Sequence, residues 1–204
     1  SLEIKCFTRL TFWQSAHGDY DHMGESINLI NNFKVDNVIF NHDGYNELEL
    51  DLIKVLDDKN IKYYKGLKQL NINNNVIYFL NKELYDNEND NSSVIYTEIN
   101  GTKILLMGDA GVNVEKEILN KYNLSNIDVL KVGHHGSKTS SSESFISKIN
   151  PIYSIISVGK NNWYGHPNEE ILEILKDTDV YRTDINGSIK FKIKNKLEIK
   201  TCIP

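Results

Sequence analysis

The chain has 204 residues, of which 40% are hydrophobic and 25% charged, a globular balance with enough length for one domain around its own core. The net charge is −5 with histidines neutral, which argues against a broad basic face for gripping nucleic acid; two divalent cations would bring it to −5 + 4 = −1, so a phosphodiester held through metals is not excluded. No apolar run approaches the ~18 residues of a membrane helix, and no basic segment followed by an apolar stretch opens the chain, so the expectation is a soluble domain without a membrane span.

Thr8 to Trp13 is a short β-prone run leading into the His- and Asp-rich segment 17–22. Glu25 to Asn32 reads as a helix, Val35 to Phe40 as a strand, and Tyr45 to Asn60 as a helix with Leu48, Leu52, Val55 and Leu56 on one face. Strands are expected over Ile61 to Tyr64 and Val76 to Leu80, followed by a polar loop from Tyr85 to Ser92. Val94 to Ile99 and Thr102 to Met107 flank Asn100-Gly101, a hairpin signal. Then come a helix over Glu115 to Tyr122, a buried strand over Val129 to Val132, a helix over Ser142 to Ile149 and a strand over Tyr153 to Val158. A helix over Asn168 to Lys176 and a strand pair, Ser188 to Ile193 and Lys196 to Thr201, close the chain. Interleaved strands and helices without repeat or linker predict one α/β domain over 1–204. Cys6 and Cys202 lie near opposite ends; a terminal disulfide is open, with two isolated thiols the preferred reading.

Four segments carry chemistry. His17-Gly18-Asp19-Tyr20-Asp21-His22 places four metal-capable side chains in six residues, and imidazole with carboxylate suits zinc, manganese or iron. In extended backbone His17, Asp19 and Asp21 would point to one side, and a turn at Asp21-His22 would swing His22 to a second cation. Gly108-Asp109 follows an apolar strand and is, by itself, an ordinary turn. In Val132 to Ser140, adjacent His134 and His135 are flanked by glycines, as where backbone approaches a ligand closely. Ser137, Thr139 and Ser140 there can donate to phosphate oxygens, and Lys138 adds a point charge. His166 precedes Pro167, where it either serves a site or caps the helix that follows.

Together these segments resemble the metallo-β-lactamase superfamily, and within it the C-terminal domain of ComEC-type DNA-uptake proteins. The first segment is similar to the His-x-His-x-Asp-His signature, with Asp19 at the second His position. Asp109 sits where the superfamily places an aspartate that bridges two metals. The His134-His135 string is very like the competence-family motif, as is Gly159-Lys160-Asn161-Asn162 with His166-Pro167. Arg182-Thr183-Asp184 completes the resemblance, which runs from about His17 to the C-terminus, with Arg182 and Asp184 expected as structural or supporting partners.

The resemblance implies a four-layer αββα sandwich and two divalent cations, zinc or manganese, held by His17, Asp19, Asp21, His22, Asp109 and His135. It implies catalytic roles for Asp21, His134, His166 and Lys138, and substrate contacts from Ser137, Thr139, Asn161 and Asn91. Which of His134 and His135 is the ligand stays open, with His135 preferred and His134 then facing substrate. Three departures qualify the match. Asn89 to Ser93 stands where the superfamily supplies a further histidine, so one metal site is expected to be weak; His42 is the spare histidine but lies too early. The family's opening strands are absent, and Lys5 to Ala16 matches poorly, which suggests a fragment or an altered N-terminus and predicts self-association through an uncovered sheet edge. The function implied is hydrolysis of phosphodiester bonds, foremost by a DNase acting on single-stranded DNA during uptake, within or beside a parent membrane protein and otherwise cytoplasmic. Two alternatives are a phosphodiesterase for another substrate, such as cell-wall phosphocholine esters, and a metal-poor domain that only positions DNA.

Overall fold

The computed structural model describes residues 9–42 and 44–202; Cys6 and the start of the β-prone run lie outside them. That run forms two short strands, β1 (Arg9–Leu10) and β2 (Trp13–Gln14), interrupted by Thr11 and Phe12. A single helical turn, α1 (Tyr20–Met23), follows, then α2 (Ser26–Asn32), β3 (Lys34–Val35), β4 (Asn37–Phe40), α3 (Glu47–Asp58) and β5 (Lys62–Lys65). Strands β2, β4 and β5 make a parallel sheet in that order, and β1 pairs with β3. Ile30, Leu52 and Leu56 from α2 and α3 cover Val38 and Phe40 of this sheet.

Helix α3 starts at Glu47 because Asn46 caps it: the Asn46 side chain accepts from Glu49 N, and the Glu49 carboxylate accepts from Asn46 N. The helix therefore buries Glu49 with Leu52 and Leu56, whereas Leu48 is only half-buried.

The second half is built on a seven-stranded sheet. Its members are β6 (Gln69–Ile72), β7 (Asn75–Phe79), β8 (Ile95–Ile99), β9 (Thr102–Leu106), β10 (Val129–Lys131), β11 (Tyr153–Ile156) and β12 (Asp179–Arg182). The order is β12-β11-β10-β9-β8-β7-β6, antiparallel from β6 to β9 and parallel from β9 to β12. Asn100 and Gly101, with φ of 49° and 78°, turn the β8–β9 hairpin as the sequence predicts. Between the parallel strands run α4 (Val112–Lys121), α5 (Glu143–Ile149) and α6 (Glu169–Ile174). Their Val114, Ile118, Phe145, Ile149 and Ile171 bury Leu105, Leu130 and Ile156 of the sheet. The chain ends in a helical turn, α7 (Thr183–Asn186), and a separate antiparallel pair, β13 (Ser188–Ile193) and β14 (Leu197–Cys202).

Helices thus flank two sheets, the layering of an α/β sandwich. The sheets meet near the end of β2, where Gln14 Nε2 donates to Ser93 Oγ at 2.6 Å and Ser93 N donates to Ala16 O at 2.7 Å. Beside that seam a cavity of about 350 Å³ opens between Gln14, Ala16, Ile95, Leu106 and Lys131, and Leu106 is left 37% exposed. Two strands escape the sequence reading. Gln69–Ile72 and Asp179–Arg182 are four residues each, polar in composition and half-exposed, so neither gives an apolar run. No helix of the described residues is long and apolar enough to cross a membrane.

Parallel pairing puts the carboxyl ends of β9, β10 and β11 at one edge of the sheet. Ligands commonly bind at that edge of parallel sheets, and three of the four chemistry-bearing segments begin there.

Candidate metal centre

The first segment is positioned by neighbours distant in sequence. Gly18 N donates to Glu88 Oε1 at 3.0 Å, and the Asn46 side chain donates to Gly18 O at 2.8 Å. A β-carbon on Gly18 would collide with the Asn46 amide, so a side chain here would have to displace the group that holds Gly18 O. Asp19 then starts α1, whose single turn brings the exposed Asp21 and the half-buried His22 beside His17. From β9 the chain passes through Gly108, at φ 57°, into Asp109; a β-carbon on Gly108 would lie 2.8 Å from Ser92 Cβ. From β10 it enters a 3-10 turn in which His134 and His135 both adopt left-handed φ, 45° and 54°. Such backbone costs non-glycine residues on the order of 1–3 kcal/mol, and here it turns both imidazoles toward Asp109.

Two groups of side chains result: Asp21, His22, Asp109 and His135, and His17, Asp19 and Asp21, with the ligand atoms of each group within 4.8 Å of one another. The carboxylate common to both groups is Asp21, whereas the resemblance implied Asp109 as the bridge. Asp109 Oδ2 lies 3.3 Å from His22 Nε2, 3.7 Å from His135 Nε2 and 3.8 Å from His134 Nε2. Asp21 Oδ2 lies 3.7 Å from His22 Nε2 and 3.9 Å from His135 Nε2, and His17 Nε2 is 3.4 Å from Asp19 Oδ2.

His17 Nε2 and His22 Nε2 are buried and lack any hydrogen-bond partner. Buried polar atoms are rarely left so. Orphaned imidazole nitrogens converging with carboxylate oxygens are what a divalent transition metal satisfies, so these residues fit cations.

The electrostatics follow from crowding. Burial opposes ionisation of Asp109, but the imidazole of His22 at 3.3 Å, with His135 and His134 beyond it, outweighs burial and brings the carboxyl down to about 2. Burial likewise opposes protonation of His22, yet Asp109 and Asp21 raise its pKa. His17 is lowered by burial and by His22, and His166 by burial and then by His134 and His135.

A second layer orients these groups. Ser92 Oγ, fully buried, accepts from Asp109 N at 2.9 Å and pairs with His17 Nδ1 at 3.1 Å. His135 Nδ1 lies 2.7 Å from Ser157 O; a carbonyl only accepts, so Nδ1 carries the proton and Nε2 keeps its lone pair toward the cluster. His134 Nδ1 pairs with Thr139 Oγ1 at 3.0 Å, and Thr139 Oγ1 is 3.1 Å from Ser137 Oγ. This hydroxyl loop is anchored by buried Glu115 of α4, which accepts from Ser141 N, from Ser142 N at 3.0 Å and from Ser142 Oγ at 2.7 Å. Burial raises the Glu115 pKa against those hydrogen bonds.

The sequence-predicted residues divide accordingly. His17, Asp19, Asp21, His22, Asp109 and His135 come together. His134 and His166 border the cluster with rings 5.8 Å apart, and Asn162 pins the His166 backbone through bonds of 2.9 and 2.6 Å. Lys138 is exposed, with Nζ 4.0 Å from Glu170 rather than inside the cluster. Asn91 is buried and its amide is taken up by Tyr85 and Glu88, so it holds its loop instead of facing a substrate. Asn161 is exposed in left-handed backbone, φ 59°. His42 is buried outside both groups, near Gly44, and Arg182 pairs with Asp184 through two bonds of 3.1 and 2.6 Å. Sequence reasoning did not single out Ser92, Glu115 or Asn46; only the polar Asn89–Ser93 loop, where a further histidine was expected, pointed to the first of them.

Residues 17–160 match the Metallo-beta-lactamase superfamily. The chain belongs to that superfamily. Over 191 residues it is 36% identical to ComE operon protein 3 of Bacillus subtilis (strain 168), covering 89% of this chain and 24% of that protein. It is 36% identical to Recombination protein 2 of Haemophilus influenzae over 55% of this chain and 14% of that protein. To Competence protein ComA of Neisseria gonorrhoeae it is 35% identical over 51% of this chain and 16% of that protein. The chain therefore spans a quarter or less of the length of these relatives. Among solved structures, the metallo-beta-lactamase fold protein YhfI from Bacillus subtilis aligns with a TM-score of 0.53 at 10% identity, over 85% of this chain and 75% of that one, which supports the fold.

Proposed function

We propose that this metallo-beta-lactamase domain, as one domain over 1–204, is a metal-dependent phosphodiesterase acting on DNA, and that it serves as a nuclease in DNA uptake beside or within a membrane protein. The observation that carries the reading is the pair of ligand groups joined at Asp21 and bordered by a hydroxyl loop. His17, Asp19 and Asp21 would hold one cation, zinc or manganese, and Asp21, His22, Asp109 and His135 the other. Bound divalent cations acidify water and draw charge from phosphoryl oxygens.

The remaining residues have roles of their own. Asp109, held ionised by its histidines, supplies negative charge in a buried setting. Ser137 and Thr139 present hydroxyls toward phosphoryl oxygens beside His134. His134, tied at Nδ1 to Thr139, keeps Nε2 free to pass a proton to the leaving oxygen, and His166 stands at ring-contact distance as its partner. Lys138, exposed in this loop, contributes charge to substrate held outside the cluster, and the exposed amide of Asn161 offers it hydrogen bonds.

The name of one relative, Competence protein ComA, supports a competence setting. The test is cleavage of a single-stranded oligonucleotide by the full chain with manganese or zinc, beside Asp109→Ala. Cleavage that chelator abolishes and the folded variant lacks is expected. A folded, metal-loaded chain that leaves single- and double-stranded DNA intact would contradict the nuclease reading.

A further inference from the structure

The loop between β11 and α6 carries two consecutive aromatic residues in the open. Trp163 is 101% exposed and Tyr164 is 83% exposed. Single exposed apolar side chains are ordinary on protein surfaces. An adjacent Trp–Tyr pair forgoes the large stabilisation that aromatic burial normally brings, and this pair sits beside the metal centre.

Tyr164 lies against His166 with ring centroids 5.8 Å apart and an interplanar angle of 19°, a stacked arrangement. His166 in turn contacts His134 at 5.8 Å. Tyr164 and His166 also wall a cavity of about 160 Å³ whose other sides include Asp21, His135 and Asn162. Tyr164 therefore stacks on a histidine that itself meets His134 edge-on, at 71°, so ring contacts run outward from the cluster to the open aromatic pair. The same loop offers exposed Lys160 and Asn161.

We propose that Trp163 and Tyr164 form a stacking platform for the unpaired bases of a single-stranded polynucleotide whose phosphodiester lies at the metal centre. The inference rests on the phosphodiesterase reading above and names the form of its substrate. Aromatic side chains hold single strands because every base has a π-face, and a nearby cation follows the backbone. In a duplex those faces are turned toward other bases. A quaternary ammonium such as choline fits less well: it favours rings that face one another around a cation, whereas Trp163 has no facing wall and Lys160 would repel a positive headgroup.

The experiment uses the full, metal-loaded chain and a short phosphorothioate oligothymidylate, which resists hydrolysis. The sequence has two tryptophans, and Trp13 is half-buried in the small sheet, so Trp163 dominates any ligand-sensitive emission. The oligonucleotide is expected to quench that emission saturably, a duplex of equal length to do so far more weakly, and Trp163→Phe to lower the signal without abolishing binding. Stacking of one base corresponds to at least about a fivefold change in affinity, so Trp163→Ala and Tyr164→Ala should each raise Kd by that much. Trp163→Ala should leave the bound metal unchanged, since Trp163 belongs to neither ligand group. Both side chains are exposed, so neither truncation threatens the fold. Wild-type oligonucleotide affinity in both alanine variants overturns the platform, as does quenching by phosphocholine that the oligonucleotide does not displace. Cleavage of ordinary DNA at unchanged KM in both variants also overturns it while leaving the nuclease reading intact. Quenching and variant effects without cleavage of ordinary DNA support the platform and reject the nuclease.

Discussion

At the residue scale, the centre depends on side chains that never touch a cation. Ser92 Oγ accepts from the Asp109 backbone N and meets His17 Nδ1, so one hydroxyl holds the backbone of one residue of the cluster and the ring of another. With Nδ1 directed at Ser92, His17 Nε2 faces Asp19 and the cluster. Groups of this kind typically govern metal affinity by 10–100-fold. Ser92→Ala should therefore weaken metal binding by roughly that factor in a calorimetric titration, with the far-ultraviolet dichroism retained; unchanged affinity would show that His17 needs no orientation. The residues of the two groups were legible in the sequence because they sit in contiguous strings, at 17–22 and 134–135, and at Asp109 after an apolar strand. Ser92, Asn46 and Glu115 were not, because each acts on a partner 75, 28 or 26 residues away, and separation on that scale leaves no local pattern.

At the element scale, α3 shows how a helix end serves the site. Its cap residue Asn46 also holds Gly18 O, so the start of the helix and the first ligand string are tied together. The cost is a buried acid: burial, opposed by the Asn46 hydrogen bond and reinforced by Glu88, raises Glu49 from 4.5 to about 7. The folded state then holds this proton more tightly than the unfolded state, so stability falls as pH rises from 4.5 to about 7. At ~1.4 kcal/mol per unit the effect is on the order of 3 kcal/mol. Glu49→Gln keeps an acceptor for Asn46 N and removes the charge. Its urea midpoint should match the parent near pH 4.5 and exceed it at pH 8; an equal difference at both pH values would contradict this account. Helix α3 and the β8–β9 hairpin were readable because apolar spacing and the Asn-Gly turn are strong local signals. Strands β6 and β12 were not, since pairing within the sheet, rather than an apolar run, makes them strands.

At the scale of the whole molecule, two layers of sheet converge on one edge, but they do not close over each other everywhere. The cavity lined by Gln14, Ile95, Leu106 and Lys131 opens onto the large sheet, and Leu106 is 37% exposed there. The edge strand β6 alternates exposed and half-buried residues. Open apolar faces and edges invite a second chain, so light scattering should show the isolated chain associating as its concentration rises. A strictly monomeric species over the same range would show that the cavity and edge are adequately solvated as they stand.

We propose, above all, two cation sites joined at Asp21. Elemental analysis of the purified chain after loading with manganese or zinc tests it most directly, run beside Asp21→Ala. Two equivalents per chain are expected, one of them held more weakly by His17, Asp19 and Asp21, with occupancy reduced at both sites in the folded variant. No bound metal in the wild-type chain, or full wild-type occupancy in Asp21→Ala, would contradict the account.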